Sequence, residues 1–308
     1  MTSPEPPRGR ETGHPPESGS PAPGAPSAGE AESLVSPLLI EAGFTHAFFT
    51  RRGGVSRPPW DTLSFSMAQG DDPAAVRENR RRAALRLGVS ERALYYLSQV
   101  HGTEALVLRG GEDPDDVVRV IGDITLSRTP HLACGVRSAD CVPVLLGDRH
   151  TGAVAAVHSG WKGTTLRAAT IGVERLRELA GGRGDIVAAI GPCISVCCFE
   201  VGEDVARRLT QASSAGDTAL SWGPPSEKAR ARAGVSAPTP RIDLRKIVRA
   251  QLVEIGLSPD SIDDVPGCTV CDPERFHSFR RDGEASGRLL SAIVPRGDGN
   301  ATVRAQQA

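Results

Sequence analysis

The chain has 308 residues, and its 36 Lys and Arg nearly balance its 37 Asp and Glu, which gives a formal net charge of −1. This balance, without a long basic run, argues against binding to nucleic acid or a membrane surface and favours a small-molecule partner. The longest apolar stretches, at 141–147 and 153–157, are far shorter than the roughly 20 residues needed to span a bilayer, and they are typical of buried strands.

Residues 1–33 are rich in Pro, Gly, Ser and Glu. They lack the apolar segment of a secretion signal and the large side chains needed to order a chain, so they predict a disordered tail and a cytoplasmic protein. One catalytic domain is expected over 34–308, with a flexible surface excursion at 211–240, where Pro and Gly interrupt a polar sequence. In a reducing compartment, scattered cysteines serve more often as buried residues, metal ligands or nucleophiles than in disulfides.

Apolar patterning predicts strands and helices along the rest of the chain. Strands are expected at 46–50, 93–100, 105–108, 132–136, 142–146, 153–158 and 186–190. Helices are expected at 73–87, 163–180, 203–209 and 244–255, the last capped by Asp243. Because strands and helices do not alternate strictly, the pattern favours an α+β fold, a single layered domain of α/β/β/α type with mixed β-sheets flanked by helices.

The residues with the strongest chemical potential lie at the ends of predicted strands. Cys141 begins one strand and His158 ends the next, so antiparallel pairing would bring them together. His101 ends an earlier strand and is followed by Gly102, which permits a sharp turn. Zinc accepts thiolate and imidazole ligands, and three protein ligands leave a fourth position open, as in catalytic sites.

The spacing of these residues also fits two other interpretations. All three side chains occur in ordinary packing. Alternatively, Cys141 is a nucleophile with His158 as its base, and Asp140 or His101 orients the pair. A metal assay separates the nucleophile from the metal site.

The remaining cysteines include a Cys268-Thr-Val-Cys271 segment. Together with Cys193 and the Cys197-Cys198 pair, it offers enough thiols for a structural zinc site. The second half lacks Cys-x-x-Cys spacing, so burial as small apolar residues is the preferred interpretation.

Several segments, in order along residues 40–296, resemble the YfiH-type family, also called the multicopper polyphenol oxidase or laccase-domain family. The matching segments are Phe49-Thr-Arg51-Arg-Gly-Gly-Val-Ser, Gln99-Val-His101-Gly, Ala139-Asp-Cys141-Val-Pro-Val-Leu-Leu, Val157-His158-Ser-Gly-Trp161-Lys-Gly, Ile190-Gly-Pro-Cys-Ile, Phe199-Glu200-Val-Gly, Asp243-Leu, Cys268-Thr, Phe276-His-Ser-Phe-Arg280-Arg281-Asp-Gly and Gly287-Arg288. So many ordered matches are not expected by chance.

This resemblance implies a catalytic zinc held by His101, Cys141 and His158. It also implies phosphorolysis of adenosine, inosine and S-methyl-5′-thioadenosine, together with deamination of adenosine, so purine nucleosides and phosphate are the expected partners. The bacterial branch is further linked to peptidoglycan editing, which leaves a hydrolase of cytoplasmic wall precursors as an alternative. A copper-dependent polyphenol oxidoreductase is the less favoured alternative, because one His2Cys site lacks the several copper centres that multicopper chemistry requires.

Roles for the other matched residues follow as hypotheses. Asp140 or Glu200 is the expected proton carrier. Arg51, Arg280 and Arg281 are candidates for holding phosphate, the amides of the helix opening near Gly163 are a further anion site, and Trp161 is a candidate for stacking on the purine. The chain departs from the family at Lys162, where Arg is common and a bidentate phosphate contact would be lost. It also carries Ser98, Ser159, His277 and Phe279 where the family often has Asn, Ala, Phe and Tyr.

Overall fold

The structure is a computed structural model that describes residues 1, 29–68, 70–182, 184–227, 230 and 237–297. Its strands are β1 (Ser33–Leu34), β2 (His46–Phe49), β3 (Leu94–Tyr95), β4 (Ala105–Leu108), β5 (Ile124–Ser127), β6 (Ala133–Ser138), β7 (Val142–Asp148), β8 (Val154–Ser159), β9 (Ile186–Ile190), β10 (Leu220–Gly223), β11 (Thr239–Ile242), β12 (Ile262–Asp264) and β13 (Leu289–Ile293). Its helices include α1 (Pro37–Glu41), α2 (Pro73–Arg86), α3 (Pro114–Val117), α4 (Trp161–Thr165), α5 (Ala168–Ala180), α6 (Glu203–Thr210), α7 (Leu244–Glu254) and α8 (Phe279–Asp282).

The strands form two large mixed sheets and a hairpin. One sheet has the order β1-β2-β13-β6-β3 and the other the order β12-β9-β7-β8-β5-β4, while β10 pairs only with β11. In the second sheet, β9, β7, β8 and β5 pair antiparallel in that order. The edge strand β12 runs parallel to β9, and the edge strand β4 runs parallel to β5. The central strands β7 and β8 are buried along their whole length, which explains their continuous apolar sequences.

The core is divided into three layers by the alternation of side chains along the strands. Val144 and Val157 face the helices, where they pack with residues such as Val173 of α5. Leu145 and Ala156 face the other sheet and fill the space between the sheets. On the far side of the first sheet, its strands pack against α2. This arrangement confirms the predicted α+β fold with mixed sheets flanked by helices.

Two predicted elements are wrong in length. The strand expected at 93–100 ends at Tyr95, because the side-chain amide of Gln99 bonds to both backbone groups of Arg137 in place of strand hydrogen bonds. The helix expected at 163–180 begins at Trp161 and is interrupted, because Arg167 adopts a left-handed conformation with φ 61°. The Arg167 guanidinium then reaches Glu254 at 2.7 Å, which ties the break to α7.

The ends of the predicted domain are partly described. Most of the predicted tail lies outside the described residues, but Ala31 is buried and Ser33 pairs with Phe49, so its last residues belong to the fold. In the predicted 211–240 excursion, β10 pairs with β11, and residues 228–229 and 231–236 lie outside the described part. Among the helices that the structure describes, none is both long and apolar enough to cross a membrane.

Candidate metal centre

The structure brings His101, Cys141 and His158 together. One ligand atom from each lies within 4.8 Å of the other two, and the two imidazole rings are 5.0 Å apart at an angle of 67°. Antiparallel pairing of β7 with β8 aligns Pro143 with His158, so Cys141, just before β7, lies beside the end of β8. The predicted convergence of strand ends therefore occurs.

His101 reaches the centre from a turn after β3. The sequence predicted that Gly102 would permit this turn, but the left-handed residue is His101 itself, with φ 64°. A non-glycine residue is rarely left-handed unless its surroundings hold it there. Here the carboxylate of Asp123 holds the turn, because it accepts hydrogen bonds from the N–H groups of Val100, His101 and Gly102.

Asp123 is a site residue that the sequence did not indicate. Its side chain is fully buried, and Oδ1 lies 2.7 Å from Nδ1 of His158. Burial raises its pKa, but the hydrogen bond from His158 and those from the backbone outweigh burial and lower it. Since Nδ1 of His158 is engaged, its Nε2 remains for a ligand, an arrangement common behind metal-binding histidines. In the sequence, the only indication of this role was the position of Asp123 as an acidic residue directly before a buried strand.

Gly160 allows the ligands to come close to the backbone. A Cβ atom at this position would lie 2.5 Å from Cδ2 of His101 and 2.8 Å from Sγ of Cys141. No side chain fits at those distances. Gly160 also precedes the first turn of α4, so the backbone turns away from the centre immediately after β8.

The electrostatics of the centre favour a thiolate. Burial raises the pKa of Cys141, but the charge of His158 and hydrogen bonds from His101 and His158 outweigh burial and lower it to about 6. For His158, burial lowers the pKa, while Cys141 and Asp123 raise it to about 9. The thiolate is the form of cysteine that binds metals and attacks electrophiles, so these directions fit both interpretations of Cys141.

Exposure differs among the three residues in a way that matters for access. His158 is buried, Cys141 is half-buried and His101 is exposed. The centre therefore opens to solvent on the side of His101. Two imidazoles and one thiolate form a donor set that zinc accepts, and an accessible side suits a site that keeps one position for a substrate.

Asp140 lies beside the centre and is already engaged. Its φ is 91°, and its two carboxylate oxygens each accept a hydrogen bond of 2.6 Å, from Oγ1 of Thr269 and from the N–H of Arg280. These bonds attach the 269–280 segment to the turn that carries Cys141. The side chain of Arg280 then donates to the carbonyls of Cys198 and Glu200.

The other predicted proton carrier, Glu200, is half-buried, and its Oε2 accepts the N–H of Ser226 at 3.0 Å. Its pKa is lowered, because hydrogen bonds from Ser226 and the charge of Arg241 outweigh the effect of burial, which raises it. Glu200 is thus ionised and more accessible than Asp140.

The arginines predicted to hold phosphate donate to protein acceptors. Arg51 donates to the carbonyl and carboxylate of Asp61 and to the carbonyl of Pro273. Arg281 donates to the carboxylate of Asp282 and to the carbonyls of Thr269, Val270 and Phe276. These contacts hold the surrounding loops together.

Trp161 and Lys162 begin α4, directly after the strand that carries His158. Trp161 is half-buried, and the exposed Lys162 places Nζ 5.7 Å from its ring centre.

Arg288, which the sequence matched without assigning a role, is half-buried. Burial lowers its pKa, and the negative charges of Cys141, Glu284 and Asp140 act in the opposite direction. The charges of Cys141 and Asp140 therefore favour the cationic form of Arg288.

The prediction that the other cysteines are buried as small apolar residues is wrong for four of them. Cys193 is buried as expected, but Cys197 and Cys271 are exposed, and Cys198 and Cys268 are half-buried. The sulfur atoms of these four residues lie within 4.8 Å of one another. The sequence offered a cysteine-rich site only as the less favoured alternative, and its two pairs lie about 70 residues apart and meet only through the sheet.

Comparison with known proteins places this chain in a family. Residues 45–296 match the family model described as multi-copper polyphenol oxidoreductase laccase, and the chain belongs to this family, as its resemblance to YfiH-type proteins indicated. A purine nucleoside phosphorylase of Mycobacterium tuberculosis is 36% identical over 244 residues, which cover 79% of this chain and 89% of that protein.

Two further matches bear the YfiH or YlmD name. The purine nucleoside phosphorylase YfiH of Shigella flexneri is 35% identical over 260 residues, covering 84% of this chain and 97% of its own length. The crystal structure of YlmD from Geobacillus stearothermophilus superimposes with a TM-score of 0.73 at 28% identity, covering 88% of this chain and 100% of that one.

Proposed function

We propose that this protein is a zinc-dependent purine nucleoside phosphorylase that also deaminates adenosine. Its substrates would be adenosine, inosine and S-methyl-5′-thioadenosine, converted with phosphate to the free base and ribose 1-phosphate or its methylthio analogue. The observation that carries the proposal is the convergence of His101, Cys141 and His158 in a chain whose relatives are named purine nucleoside phosphorylases.

His101, Cys141 and His158 would hold the zinc ion, with Asp123 fixing His158 from behind. When bound, zinc supplies Lewis acidity and makes water acidic enough to react near neutral pH, which is the chemistry that deamination at C6 of adenine requires. The thiolate form of Cys141 and the engaged Nδ1 of His158 support this ligand set. The donor set contains one sulfur and two nitrogens, which suits zinc better than a set of oxygen ligands would.

Phosphorolysis requires phosphate to be held against C1′ while positive charge develops on the ribose. Arg51, Arg280 and Arg281 remain the predicted residues, although all three donate hydrogen bonds to protein acceptors, and Arg280 lies 5.5 Å from the ring centre of Phe199. We add Arg288, whose guanidinium lies within the field of Cys141. Trp161 and Lys162 are positioned by α4 to meet the base or the phosphate at the open side.

Proton transfer during deamination is assigned to Glu200 in preference to Asp140. Both oxygens of Asp140 accept short hydrogen bonds, whereas Glu200 is half-buried and its Oε2 accepts the backbone N–H of Ser226. Arg280 connects the two residues, since it bonds to the carboxylate of Asp140 and to the carbonyl of Glu200. A carboxylate that this connection brings toward the metal centre would be suited to move protons.

The decisive experiment is product analysis with zinc-loaded protein, with and without phosphate. Adenosine, inosine and S-methyl-5′-thioadenosine are expected to give free base and the sugar phosphate only when phosphate is present. Ammonia release from adenosine should not need phosphate. Absence of the sugar phosphate from all three nucleosides would contradict phosphorolysis, and turnover of muropeptide precursors in its place would favour the wall-editing hydrolase.

Replacement of Cys141 tests the role of the metal ligands. Cys141→Ala is expected to lose the zinc held with His101 and His158 and both activities together, while His150→Ala, at an exposed turn, should lose neither. Lost activity with zinc still bound by His101 and His158 would support the alternative in which Cys141 is a nucleophile. Copper in place of zinc, with oxidation of polyphenols and no nucleoside turnover, would support the oxidoreductase alternative.

A further inference from the structure

A second group of soft ligands lies apart from the His101 centre. Sγ of Cys197 is 3.6 Å from Sγ of Cys198, 3.7 Å from that of Cys268 and 3.5 Å from that of Cys271, and Cys198 and Cys271 are 3.3 Å apart. All four sulfur atoms lie within 4.8 Å of one another. We name these residues the four-cysteine cluster.

The fold brings these two pairs of cysteines together through parallel strands. β12 runs parallel to β9, and the pairing continues past both strands as a bridge between Cys193 and Cys268. The segments that follow the two strands therefore leave the sheet at the same edge. One carries Cys197 and Cys198, and the other carries Cys268 and Cys271.

The spacing of the sulfur atoms matches a tetrahedral metal site. With zinc–sulfur bonds of about 2.3 Å, a regular tetrahedron places its sulfur atoms about 3.8 Å apart. Four of the six sulfur–sulfur distances within the four-cysteine cluster are 3.3–3.7 Å, close to this value, and the other two are within 4.8 Å. A disulfide links only two sulfur atoms at about 2.0 Å, so it does not account for the approach of all four.

The backbone around Cys268 is arranged to stabilise a thiolate. N–H groups of Ser195, Val270 and Cys271 donate to its sulfur. Two of these donors lie within the Cys268-Thr-Val-Cys271 segment itself. A Cys-x-x-Cys turn with amides directed at the first sulfur suits a metal ligand, because metal binding requires the thiolate.

We propose that Cys197, Cys198, Cys268 and Cys271 bind one zinc ion as a structural site separate from the His101 centre. Four protein ligands would leave no open position, as expected for a structural site. Binding releases the thiol protons and leaves a doubly negative complex. Two cations flank the cysteine pair and offset this charge, since Arg241 donates to the carbonyl of Cys197 and Arg280 to that of Cys198.

The structural zinc would also brace the neighbouring centre. Thr269, within the Cys-x-x-Cys turn, donates to Asp140, and Arg280 joins Asp140 to the carbonyl of Cys198. Asp140 directly precedes Cys141. The second metal would therefore fix the 195–200 and 268–280 segments against the turn that carries a ligand of the first.

The test is the metal content and ligand environment of the full chain purified under reducing conditions with zinc. The wild type is expected to hold two zinc ions per chain, and His158→Ala one. X-ray absorption at the zinc edge of His158→Ala should then show a shell of sulfur only, at about 2.3 Å. The double variant Cys268→Ser, Cys271→Ser should also hold one zinc, with a mixed nitrogen and sulfur shell.

Cys193→Ala is the matched control, because Cys193 lies beside the cluster but its thiol is buried against Arg245. It should keep both zinc ions. A measurement on the wild type does not depend on how the variants fold: the exposed thiols of Cys197 and Cys271 should resist a thiol reagent until a chelator is added.

Two results would overturn the proposal. One is a single zinc per chain in the wild type, with all four cluster thiols reacting rapidly before chelation. The other is a disulfide between Cys198 and Cys271 in protein that has been kept reduced and supplied with zinc. Both results concern the cluster alone, so they leave the nucleoside activity to be judged separately.

Discussion

At the scale of single residues, the centre depends on two positions that carry no ligand. Asp123 holds both histidine segments, since it binds Nδ1 of His158 and the backbone of His101. Gly160 leaves the space in which the imidazole of His101 and the thiol of Cys141 meet. The sequence indicated His101, Cys141 and His158 as candidate ligands, whereas Asp123 and Gly160 are recognisable only when the space between these three side chains is known.

Gly160→Ala is expected to weaken metal binding at the His101 centre strongly. The added methyl group would lie 2.5 Å from His101 and 2.8 Å from Cys141, so one ligand must move away from the other. Loss of one of three ligands from a common position should lower zinc affinity by at least the 10–100-fold typical of changes in the supporting shell. Zinc content during titration with a competing chelator measures the effect.

Gly182→Ala is the control for this substitution, because a Cβ atom at Gly182 meets nothing within 4 Å. It should bind zinc as the wild type does. Wild-type affinity in Gly160→Ala would mean that the ligands do not meet beside Gly160 when the metal is bound.

At the scale of secondary structure elements, the contact between α5 and β8 sets the position of His158. Gly172 of α5 packs directly on β8, and a Cβ atom there would lie 2.4 Å from Cγ2 of Val157. Val157 precedes His158 in the strand. The helix pattern predicted the buried face of α5, but a glycine in that face gave no indication of such a close approach.

Gly172→Ala is expected to destabilise the protein by about 1–3 kcal/mol, the usual cost of overfilling a packed core. The same change in an exposed helix would stabilise it by about 1 kcal/mol, because alanine favours helix more than glycine does. The sign of the change in stability therefore shows whether Gly172 packs closely against β8. Denaturant unfolding measures it, and Glu174→Ala, on the exposed face of α5, should change stability by less than about 0.5 kcal/mol.

An unchanged or raised stability of Gly172→Ala would show that α5 and β8 separate without cost. Reduced zinc affinity in the same variant is a further expected result, because His158 follows the displaced strand.

At the scale of the whole molecule, His277 links distant segments in a fully buried position. Burial lowers its pKa to about 3, and the positive charges of Arg51, Arg281 and Arg288 act in the same direction. These arginines come from opposite ends of the chain. The native protein therefore keeps His277 neutral at a pH where the unfolded chain, with an ordinary histidine pKa of about 6.5, binds a proton.

The stability of the protein is expected to fall as pH decreases below about 6.5 toward 3, in part through His277. In this range the unfolded state binds one proton more than the native state at this residue, so unfolding becomes more favourable by up to about 1.4 kcal/mol per pH unit. His277→Phe should remove that part of the slope. Denaturant unfolding between pH 5 and 6.5 compares the two proteins.

The exposed His150 provides the control, since His150→Ala should leave the slope unchanged. Equal slopes for the wild type and His277→Phe would show that His277 is protonated in the native protein or is exposed to water there.

Local sequence patterns sufficed for elements with continuous apolar runs or clear helix signals. β4 and β9 have the predicted bounds, and Asp243 caps α7 by accepting the N–H of Lys246. Patterns failed where a distant residue decided the structure. Gln99 ends the predicted strand by bonding to Arg137, and the left-handed Arg167 divides a helix that reads as continuous.

The sequence by itself determined the layered fold, because it follows from local apolar periodicity, and it placed His101, Cys141 and His158 at the ends of predicted strands. Their prediction as zinc ligands came from the resemblance to the family, because their spacing also fits ordinary packing and a nucleophile. Only the tertiary structure decided that Asp123 supports the ligands, that Gly160 gives them room and that four cysteines converge. These features depend on contacts between segments far apart in the chain, and such contacts leave no spacing pattern along it.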